Sequence, residues 1–263
     1  MEKNMKIGII ADLHLPKKEF PPRPEPGTRP EPLPDDPVTA KAKVFYEKAK
    51  EEKYDFVINL GDLINGTGNG DDDYMTAMMF SRSMISSTVN TYYVLGNHDT
   101  MFIPKDLLLH CSQKLGGAYS FLKDGILFIA LDANYSCDGK AYEPGFTDWT
   151  DSYIPEAQRE FLKNQLDRED FEKAVILCHH RLDLFMDDLE RVNPHVVGNA
   201  EEIREILEKS GKVALVLQAH YHSGDETVFN GIRYYTQRAF FKNGAYSVMN
   251  IDANGITLEK EEI

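Results

Sequence analysis

Five short clusters along the chain carry side chains able to hold metal ions: Asp12-Leu13-His14, Gly61-Asp62, Gly96-Asn97-His98-Asp99, His179-His180 and His220-Tyr221-His222. In two of them a single residue separates a pair of donors. In an extended chain that spacing returns both side chains to one face, so Asp12 with His14, and His220 with His222, can each grip from one direction. With one histidine taken from the pair at 179–180, the set is two carboxylates, one amide and four imidazoles. Mixed nitrogen and oxygen donors of this kind suit Mn, Fe or Zn better than Ca or Mg. Seven donors exceed what one ion with open positions needs, which points to two divalent ions sharing a bridging carboxylate. Two carboxylates and a bridging hydroxide set against two divalent ions leave a centre of about +1, attractive to a small anion. Two metals roughly 3.5–4 Å apart stabilise both the attacking and the leaving oxygen of an in-line displacement at phosphorus.

Something must bring five distant clusters to one place, and the apolar runs just ahead of them supply it. Residues 5–11, 54–60, 91–96, 126–132, 173–178 and 212–219 are continuous rather than alternating in Val, Ile and Leu, which predicts strands buried on both faces. Between them, 38–52 sets Val38, Ala42, Phe45, Tyr46 and Ala49 on one helical stripe. Pro155 opens a helix that turns Phe161, Leu162, Gln165 and Leu166 inward. Asn199 is placed to cap a third helix, Glu201 to Lys209, which Gly211 stops. Alternating strand and helix argue an α/β sandwich of helices on sheets. The last 40 residues differ: Thr227–Phe229, Ile232–Thr236, Tyr246–Ile251 and Ile256–Glu259, with turns at Asn230-Gly231, Asn243-Gly244 and Asn254-Gly255, predict antiparallel hairpins closing the domain. Ligands in open α/β sheets bind at the carboxyl ends of strands, where every cluster falls.

The chain has 263 residues, 42% hydrophobic and 27% charged, enough to bury a sizeable core and unlike a disordered or collagen-like sequence. No apolar run approaches the roughly 20 residues of a membrane span, and no signal-peptide pattern opens the chain; a cytoplasmic protein is expected. A net charge of −14 disfavours long nucleic acid as a partner. Three scattered cysteines, Cys111, Cys137 and Cys178, argue against a disulfide framework, and Cys178 ends an apolar run as a buried hydrophobe. Nine of the 13 prolines fall between Pro16 and Pro37, an extended surface insertion that begins two residues after His14, either plain solvated chain or a lid. No linker divides the chain, so a single domain over 1–263 is expected. The sequence sets no oligomeric state.

Asp-x-His, Gly-Asp, Gly-Asn-His-Asp, His-His and His-x-His, in that order and each after a strand, resemble the calcineurin-like metallophosphoesterase superfamily from Asp12 to His222. The resemblance implies an α/β fold, a two-sheet sandwich flanked by helices, in which Asp12, His14 and His222 hold one ion, Asp62 bridges, and Asn97, His179 and His220 hold the other. It implies that a metal-bridging hydroxide attacks phosphorus in line while His98 assists the leaving group. Asp99 would then orient His98, as a carboxylate fixes an imidazole tautomer. Two positions depart from the pattern. Ala219 replaces the usual Gly before His220, and Arg181 replaces a Pro after the paired histidines, bringing a guanidinium toward substrate phosphate. Asn65, Tyr221 and Arg238 are further candidate substrate contacts. His180 reads either as a partner of the ligands or as a packed core histidine; His110 and His195 read as surface or loop residues, and Asp71–Asp73 as a solvated charge run. The expected function is dinuclear metal-dependent hydrolysis of a small phosphoester. Segments 145–155 and 230–239 look similar to branches that include cyclic-nucleotide phosphodiesterases and nucleotide-diphosphate hydrolases of the ADP-ribose type, so the bond cleaved stays open. A scaffold that kept the fold without the chemistry is the rival from another class.

Overall fold

The computed structural model describes residues 4–16, 36–85, 89–111, 117–183, 186–188, 191–192 and 194–263. Two mixed sheets lie face to face between helices. The first has β1 (Met5–Ile10) at its centre, flanked on one side by β2 (Phe56–Asn59) and β3 (Thr91–Tyr93), both parallel. In the second, β4 (Tyr119–Lys123) runs antiparallel to β5 (Ile126–Leu131), which runs parallel to β6 (Lys173–Cys178). A two-strand ribbon, β7 (Met186–Asp188) with β8 (Arg191–Val192), lies outside both sheets. Beyond it, β9 (Val213–Gln218) joins β6 in parallel.

The continuous apolar runs are explained by burial on both faces. Along β1, Ile7 and Ile9 enter the core between the sheets, while Ile10 faces the helices outside. Along β6, Val175 and Leu177 point between the sheets and Ala174, Ile176 and Cys178 point outward into the second helical layer. The period of two is intact; both faces are apolar. The helices α1 (Pro37–Glu51) and α2 (Gly70–Ile85) contribute to the outer core of the first sheet through Phe45, Tyr46 and Phe80. Asp36 caps α1, its carboxylate accepting from Val38 and Thr39 N–H at 3.0 and 2.9 Å, with Pro37 at the first position. Two short helices, α3 (Asn97–Thr100) and α4 (Lys105–Cys111), precede β4. The second sheet is covered by α5 (Glu156–Leu166) and α6 (Ala200–Ser210), whose Leu162, Leu166, Ile203 and Leu207 join its outer core.

Two local expectations change. Asn199 precedes α6 without capping it; its amide bridges the backbone N–H and C=O of Ile154, tying α6 to the entry of α5. The expected C-terminal hairpins are present, and the connection between them at Asn243-Gly244 is what changes. The hairpin β10 (Asp225–Phe229) and β11 (Ile232–Thr236) extends the second sheet, with β11 parallel to β9. The chain then crosses over through the short helix α7 (Phe240–Asn243) rather than a hairpin turn, and β12 (Tyr246–Asp252) and β13 (Gly255–Glu261) complete the first sheet, β12 antiparallel to β1. Of the proline-rich stretch, residues 17–35 lie outside the described residues, and the lid reading with them. Among the described residues, no helix is long and apolar enough to cross a membrane.

Candidate metal centre

β1, β2, β6 and β9 end at the same edge of the sandwich, and the backbone there is forced into unusual shapes. Asp12, His14, Asp62 and His220 all have positive φ, between 45° and 66°. Such turns cost a non-glycine residue of order 1–3 kcal/mol and persist only where the surroundings impose them. The loops are stitched across strands: Asp12 N–H donates to Gly61 O at 2.9 Å, His14 N–H to Asp62 O at 3.0 Å, and Ala219 N–H to His179 O at 2.8 Å. Gly96 is required by close approach, since a Cβ there would stand 2.1 Å from Asp62 Oδ1. That absence of a side chain lets α3 bring Asn97 against Asp62.

Asp62 divides its carboxylate. Oδ1 accepts from His98 N–H at 2.9 Å, while Oδ2 is buried without a hydrogen bond, 3.7 Å from His14 Nε2 and 3.3 Å from His179 Nε2. On one side stand Asp12, His14 and His222, with the two imidazole Nε2 atoms 3.1 Å apart and Asp12 Oδ1 3.6 Å from His222 Nε2. On the other, Asp62, His179 and His220 offer donor atoms within 4.8 Å of one another. His179 Nδ1–H donates to Leu60 O at 2.8 Å, which fixes its tautomer and leaves Nε2 facing Asp62. Both oxygens of Asp12, the amide of Asn97, and Nε2 of His179 and His220 are likewise buried without hydrogen bonds. Leaving such groups unsatisfied costs about 1–3 kcal/mol each. A donor set of carboxylates, an amide and imidazoles, orphaned together, fits a pair of divalent cations.

The electrostatics follow from two carboxylates sharing one shell of imidazoles. For Asp62, burial opposes ionisation, but the nearby charge of His179, then that of His98 and His14, overcomes it and holds the carboxyl well below its usual range. Asp12 is pushed up to about 8, by burial first and by Asp62 against the pull of His179. Burial would lower His179, yet Asp62 and Asp12 raise it to about 9. Burial depresses His14, His220 and His222, the last to about 4, so these imidazoles are neutral and available as ligands at neutral pH.

The structure gathers Asp12, His14, Asp62, Asn97, His179, His220 and His222 at one edge, with His98 beside them, its ring edge-on to His14 at 4.6 Å. His98 is not oriented by Asp99. Its Nδ1–H donates to the backbone carbonyl of Asn65 at 2.7 Å, so Asn65 contributes its main chain. The Asp99 carboxylate instead accepts from the N–H groups of Asp62, Leu63, Ile64 and Gly96, binding the Asp62 loop to the Asn97 turn. Arg181 is fully buried, bidentate on Asp183 and 2.9 Å from Asp225, and does not reach the cleft: a guanidinium between two carboxylates is held inside. Arg238 pairs with Glu262 at 2.7 Å. His180 is buried against His179 and His220, with burial and the charge of His179 keeping it neutral.

An open cleft of about 330 Å³ exposes this edge, lined by Asp62, Asn97, His98, Trp149, His195, His220, Tyr221, His222 and Ser223. Tyr221 is thus one of the residues that line the cleft. His195 and Trp149 were not legible as site residues. Neither follows one of the apolar runs, and only tertiary packing brings their rings within 5.0 Å of each other and 4.9 and 5.2 Å of His220.

A two-sheet sandwich with such a cluster at its strand ends is a frame able to hold two divalent cations. The profile of the calcineurin-like phosphoesterase family matches residues 5–224, and the chain belongs to that family, whose members hydrolyse phosphoester bonds at a dinuclear metal centre. No curated protein matches the chain. Among solved structures it resembles a dimetal phosphatase from Danio rerio at 16% identity, over 98% of this chain and 96% of that one, with a TM-score of 0.75. GAP50, the anchor in the inner membrane complex of Plasmodium, shares 14% identity over 98% and 84%, with a TM-score of 0.64. The NAD nucleotidase NadN of Haemophilus influenzae shares 16% over 100% of this chain and 57% of that one, with a TM-score of 0.54. At such identities the likeness is one of fold. A phosphatase and an anchor on one architecture leave the chemistry to the side chains.

Proposed function

We propose that this chain hydrolyses a small phosphoester at a pair of divalent cations, Mn, Fe or Zn, with the whole of 1–263 acting as one unit. The observation that carries the reading is Asp62 Oδ2, buried, without a hydrogen bond and facing imidazoles of both clusters. Asp12, His14 and His222 would hold one ion, Asn97, His179 and His220 the other, and Asp62 both. When bound, the ions would supply Lewis acidity at the phosphoryl oxygens and a nucleophile from water. Asp62, and Asp12 once its proton is displaced, would supply the negative charge that retains cations; the neutral imidazoles add donors without repulsion. His98 has its Nδ1–H committed to Asn65 O, so as an imidazolium it would give its Nε2 proton to the departing oxygen and be left as the neutral Nδ1–H tautomer. The buried carboxylate of Asp99 holds the backbone on which both Asp62 and His98 ride.

The test is hydrolysis of 4-nitrophenyl phosphate and its bis ester by protein stripped with chelator and reloaded with Mn. Activity should vanish and return, and H98A should lose about 10²–10⁴-fold in kcat with metal content unchanged. Absence of turnover on any monoester, diester or pyrophosphate by fully loaded protein would sink the reading and leave a scaffold. Rates on cyclic AMP and ADP-ribose beside these esters rank the bond types.

A further inference from the structure

We propose that Trp149, with His195 and Tyr221 beside it, is a stacking wall for a planar ring carried by the substrate, so that the cleft selects aryl- or nucleobase-bearing phosphoesters over alkyl ones. The inference rests on the phosphohydrolase reading and adds a substrate class to it.

Trp149 is the sole tryptophan of the chain, and it is only half buried, in irregular structure at the cleft. A side chain of that size gains most from full burial. Here it lines the cavity that also holds Asp62 and Asn97. Its ring is 5.0 Å from His195 and 5.2 Å from His220; His195 is in turn 5.4 Å from Tyr221. The wall is thus continuous with His220, a candidate ligand of the metal pair, so a ring laid on it lies beside the residues that would hold the cations.

The segment bearing Trp149 is fastened at several points. Gly145 N–H donates to Met101 O at 2.7 Å, Tyr142 hydroxyl to Asp151 O at 2.7 Å, Cys137 N–H to the Asp151 carboxylate at 2.8 Å, and Gly198 N–H to Ser152 O at 2.8 Å. His195 is anchored too, its carbonyl accepting from Arg181 N–H at 3.1 Å. A wall held in place before binding costs little ordering entropy when the ligand arrives. A cleft near 330 Å³ lies at the small end of ligand sites and suits a phosphoryl group with one ring system. Among the described residues the lining has no Lys or Arg, so recognition beyond the phosphoryl group falls to stacking and to neutral donors.

Because Trp149 is the sole tryptophan, its fluorescence reports the wall directly. Phenylphosphonate and methylphosphonate, which have no ester to cleave, are titrated into Mn-loaded protein. Phenylphosphonate should quench the emission and bind about 10-fold tighter. In kinetics, W149A should lower the phenyl-over-methyl phosphate ratio of kcat/KM by about 10-fold, and W149F should restore most of it. The same comparison of AMP with ribose 5-phosphate identifies the source: a ratio that falls in W149A means a nucleobase, and a fall confined to the phenyl pair means a smaller aryl group. Equal binding of the two phosphonates without a fluorescence change, or unchanged ratios in W149A, would overturn the proposal. Hydrolysis with unchanged ratios removes the wall alone, whereas quenching by phenylphosphonate without hydrolysis of any ester removes the phosphohydrolase reading and leaves the wall.

Discussion

At the scale of single residues, the site is held in conformations that its side chains do not favour. Four of the candidate ligands have positive φ, and Gly96 supplies the space that makes one of these turns possible. G96A should therefore push Asp62 out of place. The expected outcome is less than one metal ion per chain by elemental analysis, with a lower melting temperature; full occupancy would show the close approach to be unnecessary. Protonation sets a second expectation. Asp12, raised from 3.8 to about 8, and His179, raised from 6.5 to about 9, hold protons that a cation must displace. Metal binding then releases protons, and affinity should climb from pH 6 to about 9. The metal-free fold runs the other way: a raised group stabilises below its unfolded pKa and loses that contribution as pH passes its folded one. The depressed histidines gain stability with rising pH only up to about 6.5, so between roughly pH 7.5 and 9 the net slope is downward. Calorimetry in buffers of different ionisation enthalpy and melts of stripped protein check the two signs.

At the scale of elements, strand ends supply the donors and buried polar networks aim them. Asp99 gathers four backbone N–H groups from two loops. Behind the second sheet, Asp183 accepts from Arg181, Gln218 and Thr227, while Gln218 also accepts from Leu182 N–H at 2.8 Å. This network joins the turn after His180 to the strand leading into His220. Removing the guanidinium leaves Asp183 charged and buried, so R181M should cost about 3–5 kcal/mol in denaturant unfolding. A KM for phosphoesters that stays near its original value would accompany that loss; a KM change without loss of stability would return Arg181 to the substrate.

At the scale of the whole molecule, the ligand-bearing edge needs both sheets. Asp12 and Asp62 follow strands of the first, His179 and His220 strands of the second, and His179 Nδ1 crosses between them to Leu60. Cations bound there would fasten the sandwich as well as serve the reaction. At a free concentration of 1,000 times the dissociation constant, binding adds about 4 kcal/mol. For a chain of this size that corresponds to roughly 8–16 °C. Chelation should lower the melting temperature by that order, and Mn should restore it; a melt indifferent to chelator would mean that the site binds too weakly to matter.

The sequence by itself determined that the donors follow apolar runs, and that those runs are strands buried on both faces in an α/β fold. It offered every candidate ligand and His98, since donor type and local spacing are properties of the chain; how the strands divide into two sheets was decided by the tertiary structure. Tertiary structure decided what distant backbone supplies: the Asn65 carbonyl on His98, the amide cluster on Asp99, the enclosure of Arg181, and the approach of Trp149 and His195 to His220. None of these contacts has a local signature. A carbonyl carries no residue identity, and an arginine beside a histidine pair reads the same whether its partner is a phosphate or Asp183, 2 positions on, and Asp225, 44 positions on.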